Sequence, residues 1–362
     1  MLFLTRYPLA GASSRYRVFQ YLPLLQAEGL DCTVQSFMDD RLYALSFAPG
    51  RTPAKLWHTL KATVRRLWLL RHWRRYDIVY LQRELLPFGP PWVERWLKRR
   101  GLRLVFDYDD ALFIAKPSRY NRMASFFRAP GKVRELMGMA DLVVAGNNWL
   151  RDQAMAVGGH AVTVEVAEDT RRFEGIKRDP TAPITIGWLG STSTVKYLRL
   201  VEPTLKALAA RHPELGFELM GGGEFEMPGV PWKLLPWSLE GEVDALSRWH
   251  IGLMPLPDED WARGKSGGKA RTYMAAGVVP VCTAIGYNLE LLGHRHTGML
   301  CSSAEEWQSA LDELVTRPDL RETISKAARV EVSKRFAPET IAAQLAALLK
   351  GLVSQDSDGA RP

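Results

Sequence analysis

Cysteine is scarce in this chain: Cys32, Cys282 and Cys301 are odd in number, widely spaced and without histidine partners. That excludes a disulfide framework and a paired-ligand zinc site, and it fits a reducing cytoplasm. Long apolar runs are lacking too, since none reaches the roughly 18 residues that cross a bilayer. The opening Met-Leu-Phe-Leu-Thr is too short for a signal-peptide core and reads as a first strand. The sharpest local absence is of negative charge. Residues 51–75, RTPAKLWHTLKATVRRLWLLRHWRR, carry eight Lys or Arg and no Asp or Glu.

What is present begins with size and charge. A chain of 362 residues is long for one core, so two domains of about 150–200 residues are expected. Hydrophobic content of 46% is ordinary for a folded soluble protein. A net charge of +8 asks for an anionic partner: a phosphate ligand, an acidic lipid surface or nucleic acid. No recognisable nucleic-acid motif accompanies the charge, so nucleic acid is not expected. In 51–75 the basic residues alternate with Trp57, Trp68, Trp73 and leucines. Such a basic amphipathic helix suits the interface of an anionic membrane, and the alternative is a surface helix packed by its aromatic face on its own sheet. Trp92, Trp96 and Lys98-Arg99-Arg100 repeat the pattern.

In chain order, the segment Leu2 to Thr5 reads as a strand, followed by a small-residue loop from Arg6 to Ser14 that contains Gly11, Ser13 and Ser14, and then a helix from Arg15 to Glu28. Strand, glycine loop and helix form the first unit of a doubly wound α/β domain with its ligand at the loop. Gly11, Ser14 and Arg15 are therefore candidates to face an anion or acceptor, against the plain reading of a capped turn. Further strands are expected at Asp31 to Phe37, Asp77 to Leu81 (ending in Gln82, Arg83 and Glu84), Leu102 to Phe106 (ending in Asp107, Asp109 and Asp110) and Asp141 to Ala145. Polar groups at the C-terminal ends of parallel strands line the ligand crevice of such sheets. The expected division is an N-terminal domain over 1–173, a linker over 174–183, a second parallel-sheet domain over 184–334, a last helix over 335–352 and a disordered tail over 353–362. The second domain opens with a strand ending at Leu189 and another small-residue loop, Gly190-Ser191-Thr192, with Lys196 beyond it.

The stretch 258–292, DEDWARGKSGGKARTYMAAGVVPVCTAIGYNLELL, runs loop, helix, strand, loop. Gly264, Gly267 and Gly268 allow close backbone approach, and Lys265 and Lys269 bring positive charge. A helix N-terminus so furnished is an anion site. The ordered string GKxGxKxxxYMAAGVxPV with GxNxELL resembles the donor-binding segment of retaining GT-B glycosyltransferases of family 4. GASSRYRVFQYLPLLQAEGL, LQRELLP, VFDYDDALF, ADLVVAGNNWL and ITIGWLGSTST resemble, in order, a bacterial subgroup that contributes to surface polysaccharides and glycoconjugates.

The resemblance implies an α/β GT-B fold: two Rossmann-like parallel-sheet domains facing a cleft that holds the active site, with the last helix crossing back to the N-terminal domain. It implies a nucleotide-sugar donor held by Gly190, Ser191, Thr192, Lys196, Trp237, Lys265, Gly267, Gly268, Lys269 and Thr272. A glycan or lipid-linked acceptor would be served by Gly11, Ser14, Arg15, Gln82, Arg83 and Glu84. Catalysis is expected from Lys265 and Lys269 at the departing diphosphate and from Asp107, Asp109 and Asp110 at the acceptor. Two departures stand out. The usual glutamate pair is replaced by Gly264 and Thr272, and Asp107 stands where many members have a catalytic His. The Asp-x-Asp pattern suits Mg²⁺ or Mn²⁺, but no cofactor or metal is expected because GT-B enzymes bind the diphosphate with protein groups. Alternatives are a GT-B-fold sugar-nucleotide epimerase and a non-catalytic membrane-associated scaffold. The expected location is cytoplasmic, peripheral on the inner face of the cell membrane through 51–75.

Overall fold

Short runs rich in Val, Ile and Leu become parallel strands, the central ones buried. The computed structural model describes residues 1–48, 50–114, 131–179 and 182–354. The chain divides into two units: Met1–Val166 with the segment from Pro338 onward, and Ala167–Ala337.

The first unit holds six parallel strands, β1 Leu2–Thr5, β2 Thr33–Ser36, β3 Ile78–Gln82, β4 Arg103–Tyr108, β5 Leu142–Ala145 and β6 Ala161–Thr163. Their order is β2-β1-β3-β4-β5-β6. β1, β3 and β5 are buried along their whole length, whereas β2 and β6 at the edges are partly exposed. The order reverses between β1 and β3. Loops leaving a reversal point diverge and open a crevice at the strands' C-terminal ends, which places Gly11–Ser14 and Gln82–Glu84 there.

The helix expected from Arg15 to Glu28 is broken into Ala12–Arg17, a 3₁₀ turn Phe19–Tyr21 and Leu22–Ala27. Pro23 lies in the first turn of the last piece. Its missing N–H breaks a continuous ladder but is harmless where a helix restarts. Pro338–Ser354 forms the last helix, with Ile341, Ala342, Leu345 and Leu349 buried. By length and composition Pro318–Ser354 can cross a bilayer; it comprises two helices, Pro318–Arg335 and Pro338–Ser354. The helix reaches Ser354, beyond the expected start of the tail, and residues 355–362 of that tail lie outside the described residues.

The second unit holds β7 Thr185–Leu189, β8 Gly216–Met220, β9 Trp232–Leu235, β10 Ile251–Met254, β11 Val279–Thr283 and β12 Met299–Cys301, all parallel, in the order β12-β11-β10-β7-β8-β9. Its reversal lies between β7 and β10, at the Gly190 loop and the start of the 258–292 stretch. Two glycines admit large rings against the sheet. A Cβ on Gly187 would lie 2.0 Å from Trp249 Cδ2, and one on Gly252 would lie 2.5 Å from Tyr273 Cδ2. The unit begins at Ala167, ahead of the boundary expected after Phe173, because Phe173 is fully buried in the core that contains Tyr273 and Trp249.

Candidate functional site

In the second unit the site is built around helix Gly268–Ala276. Its N-cap, Gly267, has φ of 66°, and a Cβ there would lie 2.7 Å from Leu291 Cδ2, so the turn into the helix admits only glycine. The first turn carries no acidic side chain. Its unpaired N–H groups and the helix dipole therefore present net positive potential. Tyr273 clamps the helix to the sheet: its hydroxyl accepts from Leu189 N at 2.9 Å and donates to Leu253 O at 3.2 Å. The helix is thereby fixed at the ends of β7 and β10, where the strand order reverses.

Three lysines approach this end on aromatic faces. Lys269 Nζ lies 5.4 Å from the Trp188 ring centroid, Lys265 Nζ 3.7 Å from Trp261 and Lys196 Nζ 5.2 Å from Tyr197. Tyr197 and Trp261 are themselves in ring contact at 5.9 Å. Burial, reinforced by the charge of Lys265, pulls Lys269 down to about 8. An ammonium so destabilised gains strongly from an arriving anion.

The glycine loops pack directly against these groups. A Cβ on Gly190 would lie 2.4 Å from Trp188 Cη2 and 2.8 Å from Lys269 Cε. Gly221, with φ of 79°, would put a Cβ 2.3 Å from Gly190 O and 3.3 Å from Trp237 Cβ. The structure thus brings together the expected Gly190, Trp237, Gly267, Gly268 and Lys269. Ser191 and Thr192 are exposed on the same loop, with Thr192 against Gly223.

Thr272 follows Lys269 by one helical turn and is buried. Its hydroxyl donates to Glu168 Oε2 at 3.0 Å. Glu168 is 3% exposed, and its Oε1 has no hydrogen-bond partner. Arg172 stands 4.0 Å from that oxygen and donates to Glu242 Oε1 at 2.7 Å. Glu242 Oε2 in turn accepts from Trp237 Nε1 at 2.8 Å. A polar chain therefore links Trp237 to Thr272 through Glu242, Arg172 and Glu168. Burial, opposed by Arg271 and Arg172, pushes the Glu168 carboxyl up to about 7. Neither Glu168 nor Glu242 was singled out from the sequence, because nothing local shows that residues 168 and 272 meet.

In the first unit, Ser14 Oγ accepts from Tyr7 N and donates to Gln82 Oε1 at 2.8 Å. Gln82 Nε2 donates to Ser13 Oγ at 3.1 Å, and Ser13 Oγ donates to Asp109 Oδ1 at 3.2 Å. Ser14, Gln82 and Asp109 thus form one cluster, with Ser13 as an added member, and Gly11 packs on Tyr7 beside it. A Cβ on Gly11 would lie 2.3 Å from Tyr7 Cβ. Arg83 follows β3 in a left-handed conformation, φ 67°, unusual for a residue with a side chain. Its guanidinium lies 5.6 Å from the Tyr7 ring centroid, and its buried Nε has no hydrogen-bond partner. Glu84 is partly buried beside it, and Arg15 lies 5.2 Å from the Tyr16 ring.

Asp107 takes a different part from the one expected. It lies within β4, opposite Gln82 in register, is wholly buried and is held by two guanidinium nitrogens of Arg17. Arg17 also donates to Val164 O at 2.7 Å. A carboxylate enclosed in this way ties β4 to the first helix and is not placed to touch an acceptor; Asp109 and Asp110 are partly exposed. Among the described residues no group of three or more His, Cys, Asp or Glu side chains converges as metal ligands.

No protein-family model and no curated protein matches the chain by sequence. Solved structures do resemble it. Anabaena HepE in complex with UDP-glucose aligns with a TM-score of 0.69 at 16% identity, over 97% of this chain and 99% of that one. Sucrose-phosphate synthase from Thermosynechococcus elongatus aligns with a TM-score of 0.69 at 16% identity, over 98% and 99%. The chain has the GT-B fold. A glycosyltransferase from Rickettsia africae aligns likewise, with a TM-score of 0.68 at 14% identity, over 97% and 98%. In this GT-B chain the expected donor residues belong to the second unit and the expected acceptor residues to the first.

Proposed function

We propose that the protein is a retaining glycosyltransferase that moves a sugar from a nucleoside diphosphate donor to a glycan or lipid-linked acceptor in bacterial surface-polysaccharide synthesis. The observation that carries the reading is Lys269, set against Gly190 at the N-terminus of helix Gly268–Ala276 with Lys265 nearby. Two ammonium groups and a helix N-terminus there are suited to a diphosphate. The HepE structure with UDP-glucose supports a sugar nucleotide as the class of donor.

In this reading the bond from the anomeric carbon to the diphosphate breaks with its electron pair leaving on phosphate oxygen. Lys265, Lys269 and the helix N–H groups stabilise that charge as it develops, a contribution of several kcal/mol. The acceptor hydroxyl oxygen forms the new bond on the same face of the sugar, and Asp109 or Asp110 takes its proton. Trp237 lies against the base, and Thr272 with Glu168 offers hydroxyl and carboxylate to the ribose. No metal is invoked, because the lysines supply the charge.

Thermal stabilisation by UDP-, GDP-, dTDP- and CMP-sugars and free nucleotides, with EDTA or Mg²⁺, tests the donor assignment. At a hundred times its dissociation constant a ligand stabilises by about 2.7 kcal/mol. A shift confined to one nucleotide, retained in EDTA and lost in Lys269→Ala, is expected. No shift across the panel removes the donor assignment, and a shift without sugar transfer to any acceptor removes the transferase.

A further inference from the structure

The 51–75 segment folds as helix Thr52–Leu70 followed by a 3₁₀ turn Trp73–Arg75. Its inner face is anchored by Ala62, Arg66 and Leu70, all buried. Arg66 is spent entirely inside, donating to Leu85 O, Thr5 O, Gln35 O and Gln35 Oε1. Trp57 and Trp68 do not pack on the sheet, while Trp73 is half-buried. Trp57 is 65% and Trp68 57% exposed, and Leu56, Leu60, Val64 and Leu67 are exposed with them. At 3.6 residues per turn these six fall within an arc of about 120°, so one continuous apolar stripe faces outward.

The charge carried by the segment itself is of one sign. Lys61, Arg71, Arg74 and Arg75 are exposed, and residues 41–76 contain no Asp or Glu. Several guanidinium groups lie over indole rings: Arg71 over Trp68 at 4.4 Å, Arg74 over Trp73 at 5.4 Å and Arg100 over Trp96 at 5.6 Å. Trp73 meets Trp96 edge-on at 6.1 Å, which joins the stripe to the exposed Trp92 and Trp96 of helix Trp92–Arg99.

We infer that this face is a docking surface for the headgroup layer of an anionic bilayer. Indole rings settle at the boundary of headgroups and acyl chains, leucine and valine enter just below, and cationic side chains remain among lipid phosphates. The absence of acidic residues from 41–76 removes from that segment the repulsion that an anionic surface would otherwise meet. The expected donor residues lie in the other unit, so a failure of this inference leaves the proposed reaction standing.

The experiment is co-sedimentation of the full chain with vesicles of phosphatidylcholine alone or mixed with phosphatidylglycerol, at physiological salt. Binding to the mixed vesicles only is expected. Trp57→Ser/Trp68→Ser and Arg71→Glu/Arg74→Glu should each weaken it by about tenfold or more. Val330→Ser, another exposed apolar residue, should bind as the parent does. These side chains are exposed, so unchanged melting temperatures confirm that the variants fold. Equal binding to neutral vesicles, undiminished binding by both double variants, or no binding at all overturns the inference. So does a concentration-dependent dimer, abolished by Trp57→Ser/Trp68→Ser, in a protein that ignores vesicles; that result assigns the face to a second copy of the chain.

Discussion

The Thr272 hydroxyl donates a 3.0 Å hydrogen bond to Oε2 of Glu168, across 104 residues of sequence. The resembling family commonly has a glutamate where this chain has Thr272. Here position 272 offers a hydroxyl, and that hydroxyl is bonded to a carboxylate from the segment before the expected linker. The pairing makes glutamate at position 272 a burden. Thr272→Glu would place a second carboxylate beside one that burial already pushes up to about 7, and like charges at close range disfavour ionisation further. We expect that single variant to melt lower than the parent and Glu168→Val/Thr272→Glu to recover much of the loss. Strictly additive effects in a thermal double-mutant cycle would contradict the coupling.

Lys269 yields a pH signature. Its folded value, about 8, lies below the ordinary 10.5. In the proposed reading it is the ammonium form that holds the diphosphate; this form predominates below pH 8, so nucleotide affinity should be flat there and fall as pH rises above it. Stability of the unliganded protein moves the other way: between pH about 8 and 10.5 the unfolded state binds the extra proton, so this group's penalty is relieved as pH rises. Lys269→Arg should flatten both profiles, and Lys265→Ala and Lys269→Ala should each lower kcat by about 10²-fold. Calorimetric titration across pH 7 to about 9.5 reads the affinity profile.

Gly190 is a steric requirement of the same site. Gly190→Ala sets a methyl 2.8 Å from Lys269 Cε and 2.4 Å from the Trp188 ring. Overpacking of this kind costs about 1–3 kcal/mol, and the displaced ammonium should reduce nucleotide affinity beyond what the lower melting temperature reflects. Normal affinity in a folded Gly190→Ala protein would separate Gly190 from the lysine.

Asp107 and Asp109 should part company. Asp107→Asn leaves Arg17 buried without its counter-charge, a loss of about 3–5 kcal/mol. Asp109→Asn keeps a partner for Ser13 and should leave stability within about 0.5 kcal/mol while turnover falls. Denaturant melts beside initial rates distinguish them. Equal stability losses in both would end the assignment of Asp109 to the acceptor.

Much of the architecture was legible in the chain because it is encoded locally. Val278-Val279-Pro280-Val281-Cys282 is an apolar run suited to a buried strand, and Leu102 to Phe106 is one interrupted only by Arg103. Small-residue loops such as Gly190-Ser191-Thr192 mark the turns at the strand ends. Three short strands, Ala161–Thr163, Trp232–Leu235 and Met299–Cys301, escaped notice. They sit at or next to sheet edges, where pairing with a neighbour makes the strand more than the segment's own pattern does.

The amino-acid order alone determined two parallel-sheet units, a glycine-lysine helix start suited to an anion and a tryptophan-rich basic segment without acid. Each follows from residues close together in the chain. Only the tertiary structure decided that Asp107 is enclosed by Arg17, that Glu168 meets Thr272 and that Trp57 and Trp68 face outward. Those outcomes depend on which distant side chain arrives to neutralise a charge or cover a ring, and spacing along the chain carries no record of that arrival.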